Sequence, residues 1–278
     1  MSRNNRAVVS IASRVSTGVV GNSLIEAAFL RLAPTNSIYT IDTVSWTAPG
    51  NHPRRTGIEL PGDELSRQLA VLTDARERFG GGASLLLAGY MRTSDQVGAL
   101  AAFLKGPGRS RFDLILDPVL GDEGRLYIPP STAEAIRDRL VPHARFVMPN
   151  LTEAAWLVMG DPTAGRNGIE TIDARLKRYS ESHGTVLIVK SIPVNATRIA
   201  LRIYRPGETT VTIEHDRVAL SCHGTGDLFS GIVAAALAKG DAIEPSVRLA
   251  ATLVERTLAR EAADPQGLRV HFHAVAQA

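Results

Sequence analysis

The sequence predicts an α/β fold in which a mostly parallel sheet is covered by helices on both faces. Three observations carry this. Short apolar runs at residues 7–12, 37–44, 83–87, 114–116, 146–148 and 185–189 read as strands. They alternate with residues 21–32, 62–79, 93–104, 131–140 and 171–182, longer segments whose apolar positions recur at helical spacing. That alternation is the mark of helical crossovers between parallel strands. Finally, 278 residues with 44% hydrophobic side chains suffice for one large core and are too apolar for a disordered chain.

The elements follow in order. Polar residues 1–6 lead into Ala7-Val-Val-Ser-Ile-Ala12, a first strand, and small polar residues and glycines then precede the first helix. Residues 47–62, rich in Pro, Gly, Asn and Arg, form the largest irregular insertion and read as a lid or an interface element. Residues 201–204 and 209–213, split by Arg205-Pro-Gly-Glu208, predict a hairpin. A Gly-rich turn, a helix to about Lys239 and a last helix over residues 247–262 complete the chain. With no linker, repeat or low-complexity tract, residues 1–278 are expected to form a single domain.

Charge and cysteine content narrow the function. Lys+Arg 31 against Asp+Glu 28 gives a net charge of +3, with the arginines scattered rather than striped. That suits anionic small molecules and calls for no nucleic acid. The single Cys222 excludes an internal disulfide and a thiolate zinc site. A reducing, cytoplasmic setting is the simplest expectation, since neither a signal-peptide pattern nor a membrane-spanning apolar run is visible.

The most informative stretch is Ser221-Cys-His-Gly-Thr-Gly-Asp-Leu-Phe-Ser-Gly231, a Gly-rich turn opening an apolar helix. Gly224 and Gly226 let backbone approach a ligand, and a helix start offers unpaired N–H groups to a phosphate. Asp227, in the first helical turn, would stand beside that phosphate as a base. Alone, such a carboxylate is as well explained by a favourable helix charge. The other strand ends change the balance. In an open parallel sheet, ligands collect at the carboxyl ends of strands. There this chain places Ser13, then Thr43 and Trp46, then Tyr90, then Asp117 and Asp122, then Asn150 and Glu153, then Lys190 and Ser191. Asn150 and Glu153 also have the spacing of a helix capping box. Asp117, before Pro118, also suits a plain turn.

Four segments in order carry a resemblance. Val9-Ser-Ile-Ala-Ser-Arg-Val15 with Gly18-Val-Val-Gly-Asn22, Asp117-Pro-Val-Leu-Gly-Asp-Glu-Gly124, Pro149-Asn-Leu-Thr-Glu-Ala154 and Gly224-Thr-Gly-Asp-Leu-Phe229 resemble the motifs of pyridoxal kinases in the ribokinase-like superfamily. The resemblance implies a ribokinase-like three-layer αβα sandwich and ATP-dependent phosphorylation of the 5′-hydroxymethyl group of pyridoxal, giving pyridoxal 5′-phosphate. It implies Asp227 as base, with the N–H groups of Gly224, Thr225 and Gly226 as the anion hole. Ser13, Thr43, Trp46 and Tyr90 would line the vitamin pocket. Asp117, Asn150, Glu153, Lys190, Ser191 and Thr225 would serve ATP, and Asp122 with Glu153 would organise Mg²⁺, through water where direct ligands are few. The resemblance further implies a homodimer and leaves room for a monovalent cation.

Several positions depart from the family pattern. Arg14 stands where His is common, and Val44-Ser-Trp-Thr-Ala-Pro-Gly-Asn-His-Pro53 replaces a segment carrying an amide and a hydroxyl. Met148 takes the place of a hydroxyl residue before Pro-Asn, removing a phosphate or cation contact. The transfer machinery is complete while Arg14, Ser45 and Met148 alter its surroundings. Two other readings therefore stay open: a kinase of hydroxymethylpyrimidine or a related heterocycle, and a catalytically weak B6-vitamer-binding protein.

Overall fold

The computed structural model describes residues 6–17, 20–48, 52–78, 84–220 and 223–263. Gly18, Val19, Pro49, Gly50, Asn51, Phe79, Ala83, Ser221 and Cys222, used in the sequence reading, lie outside them. The chain begins with β1 (Val8–Val15), α1 (Asn22–Leu32), β2 (Ile38–Trp46), β3 (Gly57–Glu59), α2 (Gly62–Arg78), β4 (Ser84–Ala88) and α3 (Ser94–Lys105). It continues through β5 (Phe112–Leu116), β6 (Gly121–Asp122), β7 (Arg125–Leu126), α4 (Pro130–Arg139), β8 (Ala144–Val147), α5 (Leu151–Met159) and α6 (Asp173–His183). It closes with β9 (Val186–Pro193), β10 (Arg198–Tyr204), β11 (Val211–Asp216), α7 (Thr225–Ala238) and α8 (Ile243–Ala263).

Nine strands form one sheet in the order β11-β10-β9-β8-β5-β4-β1-β2-β3. From β9 to β2 every pair is parallel, and antiparallel pairs lie only at the two margins. The α/β expectation is thus met, each of the six apolar runs supplying a parallel strand. These strands read as continuous apolar runs because both of their faces are covered. Leu86, Leu114, Val147 and Val189 pack toward α2–α6, whereas Leu85, Leu87, Ile115 and Ile188 pack toward α1, α7 and α8. The chain leaves β1 for β2 on one side and then returns to β4 on the other. This reversal opens a crevice beyond the carboxyl ends of β1 and β4, where an open sheet binds its ligand.

Two features escaped the sequence. Residues 57–59 are not irregular: β3 pairs antiparallel with β2, with Val44 opposite Glu59 and Trp46 opposite Gly57. The insertion is further pinned where Thr47 N–H donates to the Thr56 carbonyl at 2.8 Å. The other is the β6–β7 ribbon, two residues per strand, too short to leave a periodicity. Its turn residues Glu123 (φ 51°) and Gly124 (φ 73°) are both left-handed, the type I′ geometry that matches the twist of a tight hairpin.

Candidate active site

Helix α7 is buried from Leu228 onward because it lies between α1 and α8. Gly231 brings α1 close: a Cβ there would stand 2.9 Å from Ile25 Cα. One turn earlier on each helix, Gly21 and Asp227 meet, and the Gly21 N–H donates to Asp227 Oδ2 at 2.8 Å. Gly21 has φ 60°, and a side chain there would overlap the Ser13 carbonyl oxygen. Ser13 is thereby seated beside the residue that holds Asp227.

Two helix N-termini therefore open at one carboxylate. Gly21 and Gly224 are the N-caps of α1 and α7, and neither helix has a side-chain cap. Their first N–H groups and dipole ends favour an anion. Burial pushes the Asp227 carboxyl up to about 6 from an ordinary 3.8, against the stabilising Gly21 N–H. Asp117 adds to the rise and Lys190 opposes it.

Asp117 directly follows β5 and is only 4% exposed. Lys190 Nζ donates to its Oδ1 at 3.0 Å and Ser230 Oγ to its Oδ2 at 2.6 Å. Lys190 is delivered by a bulge in β9. Val189 pairs with Arg202 and Ile192 with Ala200, so Lys190 and Ser191 together face Leu201. Ser191 is exposed and absorbs the bulge with a left-handed φ of 58°. A Cβ built on Gly226 would lie 3.7 Å from Asp117 Oδ2 and 3.8 Å from Lys190 Nζ. The ion pair thus lies directly against the glycine turn.

Asn150 and Glu153 do form a capping box at the start of α5. They also grip the β6–β7 ribbon. Glu153 Oε1 accepts from the Leu120 N–H at 2.9 Å, and its Oε2 accepts from the Asn150 N–H at 2.8 Å. Asn150 Nδ2 donates to the Gly121 carbonyl, and Thr152 Oγ1 accepts from the Gly124 N–H. Glu153 is 2% exposed, and burial raises its carboxyl above the usual range, with Asp117 adding to the effect. Asp122 is exposed on the ribbon, its Oδ1 accepting from the Glu123 N–H at 2.8 Å. Tyr127, just after the ribbon, was not singled out by the sequence. Desolvation holds its phenol above the ordinary value, although more than half of the side chain is open to solvent, and Glu153, Asp117, Asp122 and Asp227 add to it.

On the β2 side of the crevice, Trp46 is 6% exposed and meets Tyr90 edge to face, ring centroids 5.7 Å apart. The Arg55 guanidinium lies 3.7 Å from the Trp46 ring centroid. Thr43 does not face this space: it is fully buried and its hydroxyl donates to the Tyr90 carbonyl at 2.7 Å. Gln96, unmarked in the sequence, joins the walls, its Nε2 donating to the Thr43 and Leu60 carbonyls, each at 2.8 Å. Arg14 is tied off by Asp42 at 2.7 Å and Glu26 at 3.3 Å, Ser45 is exposed, and Met148 is buried in the core. Among the described residues no three His, Cys, Asp or Glu side chains cluster to hold a metal. No helix among them is long and apolar enough to cross a membrane.

The chain is similar to known proteins in sequence and in fold. A family model described as phosphomethylpyrimidine kinase matches residues 85–270. A pyridoxine/pyridoxal/pyridoxamine kinase of Bordetella bronchiseptica is 30% identical over 262 residues, covering 91% of this chain and 88% of that protein. The thiamine biosynthesis multifunctional protein ThiED of Corynebacterium glutamicum is 27% identical, over 86% of this chain and 30% of that protein. Among solved structures, pyridoxal kinase from Leishmania donovani in complex with ADP and pyridoxine superimposes with a TM-score of 0.81 at 22% identity, covering 98% of this chain and 92% of that one. At that identity the likeness establishes the fold.

Proposed function

The chain belongs to the phosphomethylpyrimidine kinase family, and from that premise we propose that it transfers the γ-phosphoryl group of ATP to the 5′-hydroxymethyl group of pyridoxal. It is a kinase of the ribokinase-like superfamily. The observation that carries the finer reading is the convergence of two uncapped helix N-termini on Asp227, whose Oδ2 is fixed by Gly21.

Asp227 Oδ1 takes the hydroxyl proton as the substrate oxygen attacks the γ-phosphorus and the bond to ADP breaks. The N–H groups of Gly224, Thr225 and Gly226 receive the charge of the transferring group, already aligned before reaction. Lys190 and Ser191 serve the phosphates from β9, beside Asn150 at the N-cap of α5, and Asp117 holds Lys190 in place. Ser13 contacts the heterocycle, with Trp46 and Tyr90 as its walls. The donor set suits a magnesium ion that arrives with the nucleotide, since Mg²⁺ keeps several waters and needs few carboxylates. Asp122 would hold it, Glu153 would act at one remove through water and through the ribbon, and the ion would neutralise phosphate charge. Among the described residues the outer edge of β3 has no partner strand, and with Ile58 72% exposed there this supports extending the proposal to a homodimer.

A second acceptor is favoured by the family description and the thiamine-pathway relative: hydroxymethylpyrimidine, with the same chemistry at Asp227. The deciding assay is ATP- and Mg²⁺-dependent phosphorylation of pyridoxal, pyridoxine, pyridoxamine and hydroxymethylpyrimidine, with Asp227→Ala as control. Pyridoxal turnover that collapses in the variant is the expected result. Turnover of the pyrimidine alone moves the assignment to the second reading. Vitamer binding without turnover of any acceptor overturns both in favour of a binding protein.

A further inference from the structure

A kinase with a buried carboxylate beside its phosphate site invites a bound monovalent metal ion, and the residues here do not fit one. Asp117 is the carboxylate in question, and each of its oxygens already accepts a hydrogen bond, one from Lys190 Nζ at 3.0 Å and the other from Ser230 Oγ at 2.6 Å. Lys190 is itself 8% exposed, so its charge is confined to this spot. The neighbouring position where an oxygen donor would help is Met148, a buried thioether, which is a poor partner for a hard cation. A second cation placed on Asp117 would meet the ammonium at short range, with little water to screen the two.

We propose that the Lys190 ammonium is the built-in monovalent cation of this site, so that the enzyme works without bound potassium or sodium. The inference rests on the kinase reading above and adds a role for Lys190 beyond contact with ATP. The geometry gives it three supports. The β9 bulge re-aims Lys190 inward, with Ser191 taking the left-handed backbone. The Phe229 ring lies 5.6 Å from Nζ and offers a further surface to the cation. The would-be Cβ of Gly226 lies within 3.8 Å of both Nζ and Asp117 Oδ2, so the charge is presented to the same turn that receives phosphate. An ammonium has three donors, and one bond to Asp117 leaves two for phosphate oxygens. Fixing the cation covalently also spares the site from losing it at each turnover.

The test exchanges the salt. Initial rates are measured in potassium, sodium and tetramethylammonium chloride at equal ionic strength, alongside the melting-temperature shift that AMP-PNP and Mg²⁺ produce in each. The expected wild-type result is rates within about twofold and equal melting shifts, whereas removal of an essential electrostatic contact costs about a hundredfold or more. A wild-type enzyme that loses its rate or its nucleotide-induced shift in tetramethylammonium overturns the proposal. Lys190→Ala is the second arm: activity low in tetramethylammonium and recovered by ammonium or potassium supports it, while a folded variant that no small cation rescues overturns it. Absence of turnover in every salt would instead count against the kinase reading, and the melting shifts would still decide the cation question.

Discussion

The Gly21 N–H and the Asp227 carboxylate are joined at 2.8 Å by the packing of α1 against α7 one turn below. This bond opposes, without cancelling, the burial that lifts Asp227 to about 6. As a base Asp227 must be ionised, so kcat/KM is expected to rise with pH through about 6 and to level above it. Stability runs the other way. The folded-state value lies above the ordinary 3.8, so the folded protein holds more protons between the two. Asp227's contribution to stability is complete below about 3.8 and is lost as pH rises through about 6. Asp227→Asn should therefore lose about 10²–10⁴-fold in kcat, yet melt higher than wild type at pH 8, with the gap shrinking toward pH 5. Melts at both values, beside a pH–rate profile, check this; a gap that grows toward pH 5 would reverse the assignment of burial as the cause.

Gly231 is expected to matter for catalysis from a distance. A Cβ there would stand 2.9 Å from Ile25 Cα and 3.1 Å from the Ile25 carbonyl oxygen, both backbone atoms that cannot rotate away. Gly231→Ala should cost about 1–3 kcal/mol as overpacking and should lower kcat together with melting temperature, because α1 carries Gly21. Gly98→Ala is the control. It lies within α3, and its added methyl would meet only Arg139 Nη1 at 3.5 Å, so it should leave kcat unchanged. Equal kcat in both folded variants would disconnect the helix contact from Asp227.

Much of this was legible in sequence, and the parts that were not share a reason. The six parallel strands were visible because strands covered on both faces are written as uninterrupted apolar runs, as in Leu85-Leu-Leu87. The glycine turn and Asp227 were visible as a local pattern. The partnership of Gly21 with Asp227 spans 206 positions and depends on how two helices pack, which no local pattern encodes. Gln96 looked like any helix-start residue, yet its amide joins Thr43 to Leu60. Thr43 shows the converse: a hydroxyl at a strand end reads as a ligand contact, and only the fold shows that the carbonyl of Tyr90, in the loop after β4, has taken it. The ribbon at Asp122 was hidden because two residues per strand carry no alternation.

The acceptor pocket should separate binding from chemistry. Arg55 lies 3.7 Å from the Trp46 ring centroid, close enough to polarise the ring proposed above to face the heterocycle. At a partly exposed site such a contact is worth about 0.5–1 kcal/mol. Arg55→Met should therefore raise KM for pyridoxal by about two- to fivefold and leave KM for ATP and kcat unchanged. Steady-state kinetics with each substrate varied in turn reads this directly. A change confined to ATP would place Arg55 on the nucleotide side.

Asp122 is held on its ribbon by α5. Glu153 accepts from the Leu120 and Asn150 N–H groups, and Thr152 Oγ1 accepts from the Gly124 N–H, so α5 anchors the ribbon at both of its ends. Glu153→Ala leaves the buried Leu120 N–H without a partner, at about 1–3 kcal/mol, frees the part-buried Asn150 N–H, and should raise KM for Mg·ATP while sparing KM for pyridoxal. That result alone does not separate lost charge from lost ribbon geometry, because the substitution removes both. Thr152→Val separates them: it removes no charge and frees only the Gly124 end of the turn. If the ribbon's position governs the metal–nucleotide, Thr152→Val should also raise KM for Mg·ATP, and higher Mg²⁺ should not restore it. An unchanged KM in a folded Thr152→Val protein would leave the Glu153 carboxylate itself as the group that organises the ion.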